Sequence, residues 1–208
     1  MSNQPLPSWQ NLSQQLIASH LVSGQMSAGS EIQLQVDQVL MQDALSTLTM
    51  QALEAMGINE IAVALACQYV DHNLLQTDFR NHDDHLFLQS YCERLGIHYS
   101  GPGNGISHPT HQEYFSKPGS LLVGTDSHTP ANGSMGMLAI GVGSVEGASI
   151  LAGEPLSISM PEVMGVYVSG QLPEWVSAKD VILTLLGRHG VKALLTALLS
   201  IMDLGWLH

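Results

Sequence analysis

Basic side chains are the scarcest functional groups in this sequence. Its 208 residues contain only 6 lysines and arginines against 18 aspartates and glutamates, for a formal net charge of −12. Binding to nucleic acid or to an anionic membrane surface needs clustered cations that neutralise phosphate groups. We therefore expect neither as a partner, which leaves small molecules as the ligands to consider.

Cysteines and long apolar runs are also few. Two cysteines, Cys67 and Cys92, form neither a CxxC pair nor a disulfide framework, and alone they build no zinc or iron–sulfur site. The first residues lack the basic and apolar segments of a signal peptide, and no run of about 20 apolar residues follows. The sequence predicts a protein of the reducing cytoplasm without a membrane span.

The residues that remain are mostly apolar, and they alternate between strand and helix patterns. Hydrophobic residues make up 45% of the chain and charged residues 12%, which is enough for a sizeable core. This alternation predicts an α/β fold with a largely parallel sheet flanked by helices. We expect strands at 31–41, 60–70, 120–126 and 160–173, and helices at 8–22, 41–57, 82–96, 136–153 and 177–190.

Three polar clusters lie where predicted strands or loops end. Asp71 and His72 follow one buried run, a glycine-rich loop carries His108 and His111, and "TDSHTP" at 125–130 follows another run. In parallel sheets, ligands bind where strands end and loops begin. These clusters are therefore the candidate site.

The first two clusters allow either a chemical or a structural interpretation. Asp71 beside His72 is an acid–base unit if the carboxylate orients the imidazole, or else a pair making turn and capping bonds at a strand end. His108 lies either beside a backbone cradle for an anion or in a surface loop. For Asp71 and His72, the spacing alone favours the structural interpretation.

The remaining polar groups are equally open. Asp126 and Ser127 begin a proton relay or cap the next helix, and the lack of a GxSxG motif disfavours a hydrolase. The "HDDH" stretch at 82–85 is a metal site or, as the pattern favours, an exposed polar first turn of a helix. Cys67, inside an apolar run, is predicted to be a core residue.

The order of these motifs is more specific than any one of them. Gln42–Asp43, then Asp71–His72, then the glycine loop with His108, then "GTDSHTP" and "AIGVGSVEGASILAG" resemble the aconitase and isopropylmalate dehydratase superfamily. The chain looks most like the N-terminal part of an aconitate hydratase. The resemblance covers residues 16–192 and is most specific over 119–180.

The resemblance implies a truncated aconitase-like three-layer domain and a hydro-lyase activity. Such enzymes interconvert citrate and isocitrate through cis-aconitate, by removing and returning water. A [4Fe–4S] cluster held by three cysteines supplies one free iron as a Lewis acid for a small tricarboxylate or dicarboxylate substrate.

The resemblance also implies roles for seven residues of this chain. Asp71 and His72 are the paired proton donor to the leaving hydroxyl, and His108 supports them. The remaining roles are Asp126 and His128 in catalysis and substrate binding, and Gln42 and Ser127 in binding of substrate carboxylates.

The chain departs from the family in its metal ligands. It lacks the "CTN"-type and CxxC cysteines, the carboxylate-binding arginines, the serine base and the swivelling domain. We therefore expect no cluster ligands or other metal ligands here, and no activity of the chain alone unless a downstream polypeptide completes the site. The alternatives are a dehydratase of isopropylmalate, homocitrate or methylcitrate, and a non-catalytic carboxylate-binding module.

The last residues do not resemble the family. We interpret 1–192 as an incomplete aconitase N-terminal domain and 193–208 as a non-family tail. Codons can be chosen for this tail so that restoring one base changes the encoded sequence to "KGVVDGIIEYYGPGLA". That sequence is close to the family sequence. Our hypothesis is a single-base deletion after the Lys192 codon; the alternative is a genuine helical ending.

Overall fold

The computed structural model describes residues 11–195 and 197–203. Within them the chain alternates strands and helices and separates into two compact units. The helices are α1 Leu12–His20, α2 Ser46–Ala55, α3 Phe79–Leu95, α4 Ser107–Tyr114, α5 Ser144–Leu151 and α6 Ala178–Leu195. The strands are β1 Leu21–Gly24, β2 Glu31–Leu34, β3 Gln38–Gln42, β4 Leu65–Tyr69, β5 His98–Ser100, β6 Leu121–Gly124, β7 Leu138–Gly141, β8 Leu156–Ser159, β9 Glu162–Val168 and β10 Ala197–Asp203.

The larger unit, His20–Ser23 with Gln33–Ser157, contains a five-stranded sheet. Its strand order is β5-β4-β3-β6-β7, and all pairs are parallel. The central strand β3 is buried at all five positions, as expected for a parallel strand covered on both faces. This confirms the predicted α/β class with a parallel sheet flanked by helices.

The core of this unit is apolar on both sides of the sheet. Cys67 is 1% exposed and packs in a cluster of buried apolar residues, as the sequence predicts. The other members of the cluster are Leu40, Tyr69, Leu122, Met137 and Ala139, with Leu65 and Phe115 packed against them. The site described below therefore lies on a well-packed sheet.

The predicted strand 31–41 is wrong as a single element. The structure divides it into β2 and β3, which belong to different sheets, since β2 joins a three-stranded sheet of order β1-β2-β8. Asp37 lies at the break, where its carboxylate accepts the Leu121 N–H at 2.8 Å and the His20 Nε2 at 2.8 Å. These bonds satisfy the chain where it leaves one sheet and enters the other.

The glycine-rich segments contain more regular structure than their composition indicates. The predicted loop 101–111 includes the first residues of α4, so His108 and His111 are helical. The predicted helix 136–153 begins instead with β7, and only its second half is α5. In the first case, the Asp71 carboxylate accepts the Ser107 N–H at 2.7 Å and so caps the helix where a glycine-rich stretch ends.

The smaller unit, Met1–Ser19 with Gly24–Ile32 and Ile158–His208, contains α6 and the parallel pair β9–β10. Ser177 and Asp180 cap the start of α6, as the sequence predicts, and Gly190 breaks its helical geometry at φ 76°. Residues 197–203 form a strand rather than the helical ending considered above. In the described residues no helix is long and apolar enough to cross a membrane.

Candidate active site

The candidate site lies at the carboxyl ends of three neighbouring strands. β3 lies between β4 and β6, with Gln42 beside Tyr69 and Leu40 beside Gly124. The segments that leave these strands carry the predicted site residues. Parallel pairing therefore brings together side chains from distant parts of the chain. Five of them form one group that is joined by hydrogen bonds and by one ion pair: Asp71, His72, His108, Asp126 and His128.

Asp71 and His72 form the pair that the resemblance implies. The Asp71 Oδ1 lies 2.7 Å from the His72 Nδ1, and its Oδ2 accepts the Ser107 N–H at 2.7 Å. Asp71 is only 4% exposed in its side chain. One carboxylate oxygen of Asp71 therefore contacts the imidazole and the other makes a capping bond, and the acid–base role of the pair stays a prediction.

Asp126 is the centre of the group. Its Oδ1 lies 2.9 Å from the His108 Nε2 and 3.1 Å from the His128 Nδ1, and it accepts the His128 N–H at 2.7 Å. Its Oδ2 lies 3.3 Å from the His72 Nε2. Three imidazoles thus surround one carboxylate. Because the Asn132 amide donates to the His108 Nδ1 at 3.3 Å, His108 carries its proton on Nε2 and donates to Asp126.

Two glycines explain why the loop around Asp126 is so compact. A side chain at Gly124 would collide with Thr129, whose hydroxyl donates to the Asp126 carbonyl at 2.7 Å. A Cβ at Gly147 would lie 2.9 Å from the Thr125 side chain. The glycines of "GTDSHTP" and "GVGSVEG" therefore let the loop fold back tightly on the sheet.

The site holds negative charge next to an imidazole that is poised to be positive. Burial alone raises the pKa of Asp126, but the His128 N–H and the His108 ring outweigh it and hold that pKa below its usual value. Burial alone lowers the pKa of His72, but the Asp71 hydrogen bond and the charges of Asp71, Asp126 and Asp43 outweigh it and raise the pKa. His72 therefore keeps its proton to a higher pH than an ordinary imidazole does.

The solvent-facing side of the site consists of histidine and serine. The side chains of His72 and His128 are 40% and 79% exposed, and Ser127, which precedes His128 in the chain, is exposed too. Gln42 is 2% exposed, and its Oε1 accepts the Ala44 N–H at 2.6 Å. Binding of a substrate carboxylate by Gln42 and Ser127 remains a prediction.

Asp43 holds the turn that carries Asp71 and His72. Its Oδ1 accepts the N–H groups of Asp71 and His72 at 3.1 and 2.9 Å, and its Oδ2 accepts that of Asn73 at 2.9 Å. The His85 Nε2 lies 3.0 Å from the same Oδ2. Burial alone raises the pKa of Asp43, but these bonds together lower it.

His85 corrects the interpretation of "HDDH" as an exposed first turn. His82 is exposed, as predicted, but His85 is buried against Asp43. A sequence signal exists, because His85 continues the buried stripe of Leu88 and Cys92 at helical spacing on α3. Spacing between the two histidines alone did not reveal it.

His111 forms a second buried network behind His108. The Tyr69 hydroxyl donates to the His111 Nδ1 at 3.0 Å, and the His111 Nε2 donates to the Gln38 Oε1 at 3.0 Å. Burial, with a smaller contribution from His108, lowers the pKa of His111 to about 4. This neutral ring ties α4 to β3 and β4, and so sets the position of His108 one turn earlier.

Two groups of side chains in the described part of the chain are close enough to hold a metal ion. Their ligand atoms lie within 4.8 Å of one another; the groups are His108 with Asp126 and His128, and Asp43 with Asp71 and His72. In both groups the carboxylates already accept imidazole and backbone hydrogen bonds. Hydrogen bonding accounts for both groups, and we assign no metal to them.

The two cysteines do not fit an iron–sulfur cluster. Both are buried, and burial raises the pKa of each thiol to about 12, whereas cluster ligands are thiolates. Two thiols are also fewer than the three that such a cluster needs. Cys67 and Cys92 therefore do not supply the three thiolates of such a cluster.

Comparison with known proteins decides the family. The model of the aconitase family (aconitate hydratase) matches residues 14–198. The chain belongs to the aconitase family. The family match thereby confirms the resemblance read from "TDSHTP" and the motifs before it.

Curated relatives are similar along most of this chain. A mitochondrial aconitate hydratase of Schizosaccharomyces pombe is 35% identical over 91% of the chain and 25% of its own length. A mitochondrial homocitrate dehydratase of Saccharomyces cerevisiae is 34% identical over 92% of the chain and 26% of its own length. An aconitase–ribosomal protein bL21m fusion protein of S. pombe is 32% identical over 87% of the chain. The chain thus spans about a quarter of the length of the first two relatives.

Proposed function

We propose that this chain forms the proton-handling wall of an aconitate hydratase-type hydro-lyase. The observation that carries the proposal is the convergence of His72, His108 and His128 on the Asp126 carboxylate, next to the Asp71–His72 pair. Such a wall can supply a proton at one position and take it back.

The wall acts on the leaving hydroxyl of the substrate. When the carbon–oxygen bond breaks, its electron pair leaves with the oxygen, and the protonated His72 supplies the proton that completes a water molecule. Asp71, at 2.7 Å, and Asp126, at 3.3 Å, stabilise the cationic ring before the transfer. Hydration runs through the same steps in reverse, with His72 taking the proton back.

The chain does not contain every group that the reaction needs. The base that removes the carbon-bound proton and the cluster cysteines are both absent from the sequence, and no step above uses them. We propose that the chain is inactive alone and that a downstream polypeptide completes the site. A cytoplasmic location is likewise our proposal.

The substrate class follows from the exposed side of the site. His72, His128 and Ser127 face solvent and suit a hydroxylated tricarboxylate or dicarboxylate, with Gln42 near the strand end as a further carboxylate ligand. Citrate is our first choice, because the relatives include aconitate hydratases. Homocitrate is the alternative that a relative's name supports, followed by isopropylmalate and methylcitrate.

Binding of citrate to the isolated chain tests the proposal. With 15N-labelled histidine, citrate should shift the ring signals of His72 and His128, and propane-1,2,3-tricarboxylate, which lacks the hydroxyl, should shift His72 less. Asp126→Asn should abolish the difference between the two ligands. Equal shifts from both ligands, or none from citrate, would contradict the proposed role of His72.

A non-catalytic carboxylate-binding module is the second candidate. The buried, protonated cysteines favour it, since the chain has no cluster ligands of its own. Adding a purified downstream portion of an aconitase separates the two. Consumption of cis-aconitate by the mixture supports the hydro-lyase, whereas citrate binding without turnover in the mixture supports the module.

We also propose that the incomplete aconitase domain ends at residue 192 and that a non-family tail begins at residue 193. The family match runs past Lys192 to residue 198, which leaves the origin of the tail open to a direct test. Reading the coding DNA beyond the Lys192 codon provides it. A long frame with the CTN and CxxC motifs after restoring one base supports the frameshift, and its absence supports a genuine ending.

A further inference from the structure

The buried contact between Asp43 and His85 has no part in the proton transfer described above. His85 is 5% exposed and Asp43 is 2% exposed, and they lie behind the turn that carries His72. Burying a carboxylate and an imidazole costs free energy unless both are fully hydrogen-bonded. A contact of this kind beside a reacting group calls for a functional explanation.

We propose that His85 is a positioning residue: through Asp43, it holds the turn 71–73 so that His72 faces Asp126. The proposal rests on the proposed function, because it concerns the same proton donor. It adds to that function a residue on α3 that lies outside the motifs on which the resemblance rests.

Asp43 uses its whole hydrogen-bonding capacity at this point. It accepts three consecutive backbone N–H groups, those of Asp71, His72 and Asn73, and the His85 ring as a fourth donor. A carboxylate has about four lone-pair positions, so none remains for water. Without His85, Oδ2 keeps only the Asn73 bond, and the carboxylate is held by the backbone N–H groups of the turn alone, with no bond to α3.

Gln76 fixes His85 in the form that can donate. The Gln76 amide lies 3.0 Å from the His85 Nδ1 and donates to it, which leaves the proton on Nε2, facing Asp43. Gln76 follows the 71–73 turn in the same loop. Both ends of this loop are therefore tied to His85, one directly and one through Asp43.

The turn decides what His72 can reach. Its backbone N–H is held by Asp43, its Nδ1 lies 2.7 Å from Asp71, and its Nε2 lies 3.3 Å from Asp126. The Asp43 Oδ1 lies 4.0 Å from the His72 Nδ1 and adds its charge to those of the other two carboxylates. If the turn rotated, the distance between the His72 Nε2 and the Asp126 Oδ2 would lengthen first. That contact is longer than the contacts of the His72 N–H with Asp43 and of the His72 Nδ1 with Asp71.

Amide exchange and histidine titration in the 208-residue chain test the proposal. His85→Phe keeps the ring in the core but removes the donor. We expect the amides of Asp71, His72 and Asn73 to exchange at least about tenfold faster, with amides of β6 unchanged. The His72 pKa should fall toward its ordinary value. His85→Gln, whose amide nitrogen stands near the place of Nε2, should restore both.

His82→Phe is the matched control, because His82 lies on the exposed side of the same helix. It should change neither readout. Unchanged exchange and unchanged His72 titration in His85→Phe would overturn the positioning role, and citrate-induced shifts in that same variant would show that the proposed function survives.

Gln76→Leu carries the test if His85→Phe does not fold. It removes the bond that fixes the ring without creating a buried vacancy at His85, since Gln76 is only partly buried. Faster exchange at His72 and Asn73 supports the proposal, and exchange equal to that of the unaltered chain contradicts it.

Discussion

Two histidines of this chain, His72 and His111, have opposite electrostatic environments. His72 is 40% exposed in its side chain and faces the carboxylates of Asp71 and Asp126, and its pKa is raised. His111 is fully buried between the neutral groups of Tyr69 and Gln38, and burial lowers its pKa to about 4. One ring is arranged to carry a proton and the other to remain neutral.

The difference teaches that hydrogen bonds alone do not decide the charge of a histidine. Both rings have polar partners at each nitrogen, two hydrogen bonds for His111 and one hydrogen bond and one ion pair for His72, but only the partners of His72 are negatively charged. A neutral partner satisfies a ring nitrogen without repaying the loss of water around an imidazolium ion. Within one site, the protein therefore separates a proton donor from a structural anchor by the charge of the partners.

Replacing the neutral ring should have the largest effect on stability. His111→Phe fills the same space but leaves the Tyr69 hydroxyl and the Gln38 Oε1 without their buried partner. We expect the free energy of unfolding to fall by about 3 to 4 kcal/mol, measured by urea denaturation at neutral pH. His98→Phe, at an exposed position on β5, is the control and should cost far less. Equal losses in the two variants would contradict the anchoring role.

The same ring should make stability depend on pH in the acidic direction. Its pKa is 6.5 in the unfolded chain and about 4 in the folded one, so its contribution is complete above pH 6.5 and is lost as the pH falls from 6.5 toward 4. The size of that loss is about 3 kcal/mol. Asp43 and Asp126, whose pKa values are lowered from 3.8, act below this range.

The measurement is the free energy of unfolding of the unaltered chain and of His111→Phe across pH 7 to 4. The difference between the two proteins should shrink as the pH falls, because the unaltered chain loses a contribution that the variant never had. His72 works in the other direction: its raised pKa gives stability that is present below the unfolded value and is lost as the pH rises through the folded one. A constant difference between the proteins would show that His111 is not the group responsible.

The sheet could be predicted from the sequence, and the reason is local. The runs that became β4 and β6 are almost entirely apolar, with Gln68 as the polar exception in β4, and a parallel strand covered on both faces needs such a run. The motifs at their ends then placed Asp71 and Asp126 together. The two outer strands were not predicted, since β7 lies in a predicted helix and β5 lies outside every predicted element. β3 was merged with β2, because Asp37 lies at the break between them and bonds to Leu121, 84 residues away.

The supporting residues of the site were much harder to predict. Asp43, His85 and His111 act through partners that lie 28 to 73 residues away in the chain, so no local pattern contains the contact. His85 shares its stripe on α3 with apolar residues, and α4 begins inside a stretch whose glycines and proline disfavour a helix. Their roles follow from tertiary contacts, and sequence patterns describe only neighbours.

Removing charge from the partner of His72 should bring the two histidines closer in behaviour. Asp71→Asn keeps an oxygen for the Ser107 N–H but replaces the carboxylate beside the His72 Nδ1. The His72 pKa should fall toward its ordinary value, followed by NMR, and stability should fall by about 1 to 2 kcal/mol. Asp78→Asn, at the exposed first residue before α3, is the control. An unchanged His72 titration would show that Asp71 does not raise the His72 pKa.

Ser127→Ala is expected to have the smallest effect on stability, and it tests substrate binding beside His72. Ser127 is exposed between Asp126 and His128, so Ser127→Ala should change the free energy of unfolding by less than about 0.5 kcal/mol. If its hydroxyl donates to a substrate carboxylate, the same variant should nevertheless need more citrate to shift the His72 and His128 signals. Ser134→Ala, at another exposed serine in the 3-10 helix that follows, should leave the citrate titration unchanged. Superimposable citrate titrations for Ser127→Ala and the unaltered chain would remove Ser127 from the binding site while leaving the proton-donor role of His72 intact, because that role depends on carboxylates and not on this hydroxyl.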